Sequence, residues 1–218
     1  MRYYNSLHLR GCGFWFKNIN LMMKKSNIIR QRGSIGGFIL EFIQSIVLAL
    51  SVFVLLYLFV AQPNEVKGSS MEPNFLNGEY LLTDKLSYQF STPKRGDVVV
   101  FKAPPSEPCA AEECEYIKRV IGVPGDKVKV ENSKVFLNGM ELAQPFLPSD
   151  YVTTSGSFLA EGIEITVGEG EYLCLGDNRS HSRDGREFGP IKKDAIVGKA
   201  FLKYWPVSSV GLVPQTKL

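Results

Sequence analysis

Ser70 stands in the stretch Gly68-Ser69-Ser70-Met71-Glu72-Pro73, just past the end of the membrane-length apolar run of the sequence. A serine hydroxyl is a weak nucleophile until a base takes its proton. The sequence narrows the choice of base. There are two histidines: His8 lies before the apolar run, and His181 lies in a polar stretch, so a Ser-His-Asp arrangement can draw on His181 alone. No helical zinc motif and no glycine-rich phosphate loop is present, and no pair of carboxylates is singled out. Lysine can also serve, where apolar surroundings lower its pKa and leave part of it neutral. In Tyr116-Ile117-Lys118-Arg119-Val120-Ile121 a two-residue period puts Lys118 on one face with Tyr116 and Val120, and Arg119 on the other. The same pattern fits a strand lysine with its ammonium in water, and pattern alone favours that reading.

Residues 176–186, Gly-Asp-Asn-Arg-Ser-His-Ser-Arg-Asp-Gly-Arg, are dense in polar groups between apolar runs. They read as a solvated loop, or as the polar floor of a site. In the second case the Ser182 hydroxyl can hydrogen-bond the lysine amine and aim it. Asp184 can pair with Arg186, and Asp177 with Arg119.

Something must hold these residues together. From Gly78 onward the 218-residue chain alternates short strand-like runs with turns: 79–83, 97–101, 116–123, 127–131, 135–137, 163–167, 171–175 and 195–205. Asn138-Gly139 predicts a tight hairpin turn. Residues 144–162 are loop-like, and no run of helical period and length follows the apolar stretch. The expected class is all-β: antiparallel strands in a barrel-like domain behind one N-terminal transmembrane helix.

That helix is expected over residues 38–61. The segment 42–61 is broken by Gln44, Ser45 and Ser51 alone, and twenty helical residues span about 30 Å, the hydrocarbon thickness. A cleavable signal peptide is the alternative, with Val60-Ala61-Gln62 as a small-residue cleavage site. The run exceeds the ~7–15 residues of a signal-peptide core, which favours a retained helix. Of 25 Lys and Arg residues, seven fall in residues 1–37, which hold no acid; the remainder carries 18 basic against 22 acidic residues. A basic tail and a mildly acidic body argue against nucleic-acid binding and, by the positive-inside rule, put the tail on the cytoplasmic or stromal side. Three parts follow: a disordered tail (1–37), the membrane helix (38–61) and an exported domain (62–218). Residues 1–23 suit a transit peptide as well as a solvated tail. Cys109 and Cys114 can form a local disulfide on the exported side or remain free thiols.

Four stretches occur in a fixed order: Gly68-x-Ser70-Met71-x-Pro73; residues 93–101, Pro-Lys-Arg-Gly-Asp-Val-Val-Val-Phe; residues 116–126, Tyr-Ile-Lys-Arg-Val-Ile-Gly-Val-Pro-Gly-Asp; and Gly176-Asp177-Asn178-Arg179-Ser180-x-Ser182-x-Asp184-x-Arg186. Together they resemble the successive sequence boxes of type I signal peptidases, from the apolar run to about Phe201. The resemblance implies a membrane-bound Ser/Lys endopeptidase that removes signal peptides after small residues and needs no metal or cofactor. Its partners would be precursor proteins and membrane lipid. Carried over, Ser70 is the nucleophile and Lys118 the general base. Ser182 orients the lysine, and Asp177, Asp184, Arg119 and Arg186 brace the site. Met71, Phe75 and Tyr116 meet the substrate, and the Ser70 N–H serves the oxyanion hole. Two positions depart from the pattern. Gly68 stands where some members carry a serine as second oxyanion donor, so that donor must be backbone or water. Asn74-Phe75 stands where Thr-Leu is usual. The rival reading is a non-catalytic membrane-anchored β domain that binds an envelope partner; a self-cleaving Ser/Lys regulator is disfavoured by the membrane span.

Overall fold

The computed structural model describes residues 35–109, 114–214, 216 and 218. The basic tail and residues 1–23 therefore lie outside the described residues. The described residues divide into two units, one ending at Phe53 and the other beginning at Val54.

Residues 35–53, described from the first unit, belong to helix α1 (Ile35–Phe59). It is apolar on all sides and long enough to cross a membrane. Its serine hydroxyls are satisfied within the helix: Ser45 and Ser51 donate to the carbonyls of Glu41 and Val47, four residues back, at 2.9 and 2.7 Å. The helix starts and ends earlier than the expected 38–61. Ala61 already opens a strand, so the expected membrane exit at Gln62-Pro63 lies inside the β body.

The second unit is antiparallel β. In chain order its strands are β1 (Ala61–Glu65), β2 (Tyr80–Asp84), β3 (Val98–Lys102), β4 (Glu115–Gly122), β5 (Lys127–Glu131), β6 (Lys134–Leu137), β7 (Met140–Glu141), β8 (Glu164–Thr166), β9 (Glu171–Leu175), β10 (Ile191–Lys192), β11 (Ile196–Trp205) and β12 (Gly211–Leu212). Two one-turn helices interrupt them, α2 (Ser87–Phe90) and α3 (Gly185–Phe188). The large sheet runs β1-β2-β11-β3-β4-β9-β10, with β12 also paired to β11; the small one runs β7-β6-β5-β8. The class is all-β as expected, and because the end strands β1 and β10 do not pair with each other the barrel-like sheet is curled but not closed. Its curl shows in side chains: the amides of Asn64 and Gln62 on β1 reach the Glu115 carboxylate on β4 at 2.8 and 3.3 Å.

Alternation places the core. In β3, Val98 joins Val66, Met71, Phe75, Leu81 and Ala200 on one side of the sheet, while Val99 and Phe101 join Tyr88, Val120, Tyr172 and Cys174 on the other. A third cluster packs Val128, Val130 and Val135 of the small sheet against Ile121, Leu173 and Leu175. Burial on both faces explains why residues 98–101 carry no polar interruption. Both tight hairpins use left-handed residues: Asn138 and Gly139 (φ 52° and 81°), and Asn132 and Ser133 (φ 51° and 65°). Cys109 and Cys114 form a disulfide with a Cα–Cα distance of 5.7 Å. Just outside it, Ala103 N–H donates to the Cys114 carbonyl at 2.9 Å and extends the β3–β4 ladder.

Candidate active site

Ser70 sits on a turn between β1 and β2, and the turn is nailed down by its neighbours. Met71 (0% exposed) and Phe75 (1%) are buried in the core with Val66 and Leu81. Burying two such side chains is worth roughly 1.5–3 kcal/mol each, enough to hold a turn that has no strand of its own. Met71 and Phe75 were expected against the substrate; the structure puts both in the core, outside the residues that line the cleft at Ser70.

Lys118 comes from the middle of β4. Its Nζ lies 2.6 Å from Ser70 Oγ and 5.2 Å from the centre of the Tyr116 ring, and only 4% of the residue is exposed. Burial lowers its pKa from the ordinary value to about 8, against the opposing pull of the Asp184 and Asp177 carboxylates. A neutral amine is an acceptor that can hold the hydroxyl proton, so the contact has the geometry of a base and its acid.

Residues 176–186 lie beneath the pair. Asp177 (0% exposed) takes Arg119 in a two-pronged bond, Nε–Oδ1 2.8 Å and Nη2–Oδ2 2.7 Å. Asp184 takes Arg186 likewise, at 2.8 and 2.9 Å, accepts the Gly176 N–H at 2.9 Å, and caps α3 through the Arg186 N–H at 3.1 Å. One carboxylate thereby closes the loop on itself. Ser182 differs from the expectation. Its Oγ is buried with no hydrogen-bond partner among the described residues, so it makes no bond to Lys118.

Two asparagines were not singled out by the sequence as individual residues. The Asn178 N–H donates to the Ser70 carbonyl and its side-chain amide to the Ser69 carbonyl, both at 3.0 Å, which ties the loop to the nucleophile's own backbone. Asn74 Nδ2 donates to Asp177 Oδ2 at 2.8 Å and to the Phe146 carbonyl at 2.9 Å. Asn178 follows Asp177 directly in the fourth motif, and Asn74 marked a departure, so both signals were present. At the oxyanion side, the Ser70 N–H donates to no partner among the described residues, whereas the Gly68 N–H is taken by Asn77 Oδ1 at 2.8 Å.

The pair opens on a cleft of about 260 Å³, walled by residues 64–67 on one side and 115–118 on the other, with Arg183 at its rim. Strand β4 pairs β3 over 115–119 but β9 only from Arg119 onward. Its residues 115–118 therefore have one free edge, against which an extended chain can pair. His181, the rival base, is exposed, bonds Ser180 Oγ through Nδ1 at 2.9 Å, and does not line this cleft.

Close approach at Gly176 is a steric requirement. A Cβ there would meet Ser182 Oγ at 2.0 Å and the Ser70 carbonyl at 2.5 Å. Gly176→Ala should push the loop off the Ser70 turn by about 1 Å and slow peptide cleavage about 100-fold, read as kcat on a peptide substrate. Unchanged kcat would show that the loop's distance from Ser70 is immaterial.

The family model described as signal peptidase, peptidase S26, matches residues 39–205. The chain is 37% identical over 183 residues to signal peptidase IB of Staphylococcus aureus (strain COL), covering 78% of this chain and 91% of that one. It is 34% identical over 176 residues to a probable signal peptidase I-2 of Synechocystis, covering 80% and 77%. A crystal structure of a signal peptidase I from Enterococcus faecalis is similar at 27% identity and a TM-score of 0.40, covering 50% of this chain and 97% of that one.

Proposed function

The chain belongs to the signal peptidase family, peptidase S26, and on that premise we propose that it removes signal peptides from exported precursors with Ser70 as nucleophile and Lys118 as general base. The observation that carries the roles is the 2.6 Å contact between Lys118 Nζ and Ser70 Oγ, inside surroundings that lower the amine's pKa to about 8. The precursor segment lies extended along the free edge of β4. Lys118 takes the Ser70 proton as Oγ attacks the carbonyl after a small residue. The Ser70 N–H donates to the oxyanion, Lys118 returns the proton to the departing amine, and the mature protein leaves. The same amine then draws a proton from water, which hydrolyses the acyl-enzyme. Asp177, Asp184, Arg119, Arg186 and Asn178 keep the turn and the loop in register, and Tyr116 lines the cleft; Ser182 has a free hydroxyl to offer.

The peptidase is a single-pass membrane protein, anchored by α1. We place its basic tail on the cytoplasmic or stromal face and the β body on the other. Exposed Trp205, Val207, Val210 and Leu212 give that body apolar surface suited to lipid.

Direct evidence comes from incubating the full chain in detergent with a precursor and sequencing the new N-terminus; intact precursor, or cleavage away from a small residue, would count against the reading. The pH profile tests the base. Only neutral Lys118 can accept the proton, and its pKa is about 8. Below that value kcat/KM should fall about tenfold per pH unit, and above it should level off. An optimum well below neutrality would exclude a lysine base.

A further inference from the structure

Of the two cleft-lining cations that the mechanism above leaves unused, Lys67 is a largely exposed side chain, whereas Arg183 is held in place. Arg183 is mounted on Glu107, which comes from the connection between β3 and β4. Glu107 has no exposed side-chain surface. Its Oε2 accepts Arg183 Nε at 2.7 Å and the Tyr116 hydroxyl at 3.0 Å, so one buried oxygen fixes two residues of the cleft. The remaining oxygen, Oε1, is buried and has no hydrogen-bond partner among the described residues.

This pair is built unlike three others in the molecule. Arg119–Asp177, Arg186–Asp184 and Arg95–Asp126 are each two-pronged, with Nε and Nη2 spread over both carboxylate oxygens. Arg183 uses Nε alone. Had it served only to neutralise Glu107, the second prong would satisfy Oε1 as well. Instead Nη1 and Nη2 make no hydrogen bond among the described residues, while 58% of the side chain is exposed at the cleft rim. The result is a guanidinium held through Nε, with four N–H groups that have no partner among the described residues, on a residue that lines the cleft together with Ser70 and Lys118.

We propose that Arg183 is a substrate-binding residue that donates to a main-chain carbonyl oxygen of the bound chain next to the scissile bond. This rests on the peptidase reading above. A neutral acceptor suits it because the guanidinium charge is already balanced by Glu107, and Glu65 and Glu115 also line the cleft. A carbonyl is also present in every substrate, whatever its side chains. Glu107 is then a positioning residue that acts through Arg183.

The experiment compares wild type, Arg183→Met, Glu107→Gln and the double variant, as full chains in detergent, on one synthetic peptide with a small residue before the scissile bond. Arg183→Met should raise KM about tenfold, the value of a charge-assisted hydrogen bond, with kcat within about twofold; its unfolding midpoint should fall, because buried Glu107 loses its charge partner, and should recover when Glu107→Gln is added. Glu107→Gln should raise KM too, and the double variant no further than Arg183→Met. Peptides carrying a thioamide at successive positions beside the scissile bond should show one position that raises KM in wild type and not in Arg183→Met. Unchanged KM in Arg183→Met, or thioamide losses equal in both proteins, overturns the proposal. So does a preference for Asp over Asn that Arg183→Met removes, since Arg183 would then read an acidic side chain. If wild type cuts no peptide, the peptidase reading fails by itself. Binding of a fluorescent peptide to Ser70→Ala with and without Arg183→Met then still decides the role of Arg183.

Discussion

Lys118→Met should reduce precursor processing about 10⁴-fold or more while leaving the protein folded. Methionine has nearly the length of lysine and no charge, and the site it enters is almost closed to water, with 4% of Lys118 exposed. Burial already works against the ammonium there, so removing the group costs the fold little and takes from the Ser70 hydroxyl the base proposed for it. Ser70→Ala should lose activity to the same extent. Because the two groups act as a unit, Ser70→Ala with Lys118→Met should lose no more than either alone. The measurement is the initial rate of product appearance beside the thermal midpoint of each variant. Activity within about tenfold of wild type in Lys118→Met, at an unchanged midpoint, would mean that another base serves Ser70. His181 is a poor substitute, since its ring nitrogen is engaged by Ser180 and it stands outside the cleft.

The Ser70–Lys118 pair was named from the sequence through the resemblance of its four ordered stretches, since pattern alone favoured a Lys118 with its ammonium in water. Strand alternation gave Lys118 two apolar neighbours on one face, and the residues after Ser70 included Met71 and Phe75, which the core absorbs. The strands at 98–102, 127–131 and 171–175 were legible without the resemblance: period two or an unbroken apolar run reports burial directly. Strand β1 was not. Ala-Gln-Pro-Asn-Glu has no apolar alternation, and it is a strand because its backbone pairs β2 at the edge of the sheet, where Pro63 is tolerated. The two-residue strands β7, β10 and β12 are likewise fixed by their partners. The all-β, barrel-like class was legible from the same periods, whereas closure depends on whether the two ends of the sheet meet, a global property that no local period reports. Glu107 was hidden by its setting. In a Pro-rich stretch an acid reads as solvated, and only the folded chain shows it buried between Tyr116 and Arg183. Ser182 was legible as a residue and not as a contact, because a side-chain hydrogen bond depends on sub-ångström placement.

Arg119→Met should lower the stability of the body by about 3–5 kcal/mol, the largest structural effect expected of any single change at this site. Asp177 is fully buried, and Arg119 holds both of its oxygens. Without the guanidinium the carboxylate keeps a single side-chain donor, the Asn74 amide, and no opposing charge at bonding distance. Arg119 also gives Nη1 to the Gly96 carbonyl at 3.0 Å and stacks 4.2 Å from the Phe146 ring, so its loss reaches three chain segments at once. The remedy separates charge from packing. Adding Asp177→Leu to Arg119→Met removes the stranded charge, and an apolar pair in place of a buried ion pair is often neutral or better. Denaturant midpoints in detergent should therefore fall for the single variant and largely recover in the double. Activity should not recover with them. Residue 177 starts the segment whose next member, Asn178, holds the carbonyls of Ser69 and Ser70. Asp177→Leu removes the carboxylate that ties this segment to Asn74. A double variant as unstable as the single one would show that the pair matters for its hydrogen bonds rather than its charges. One that regains both stability and full rate would show that the buried ions contribute nothing to the placement of Ser70.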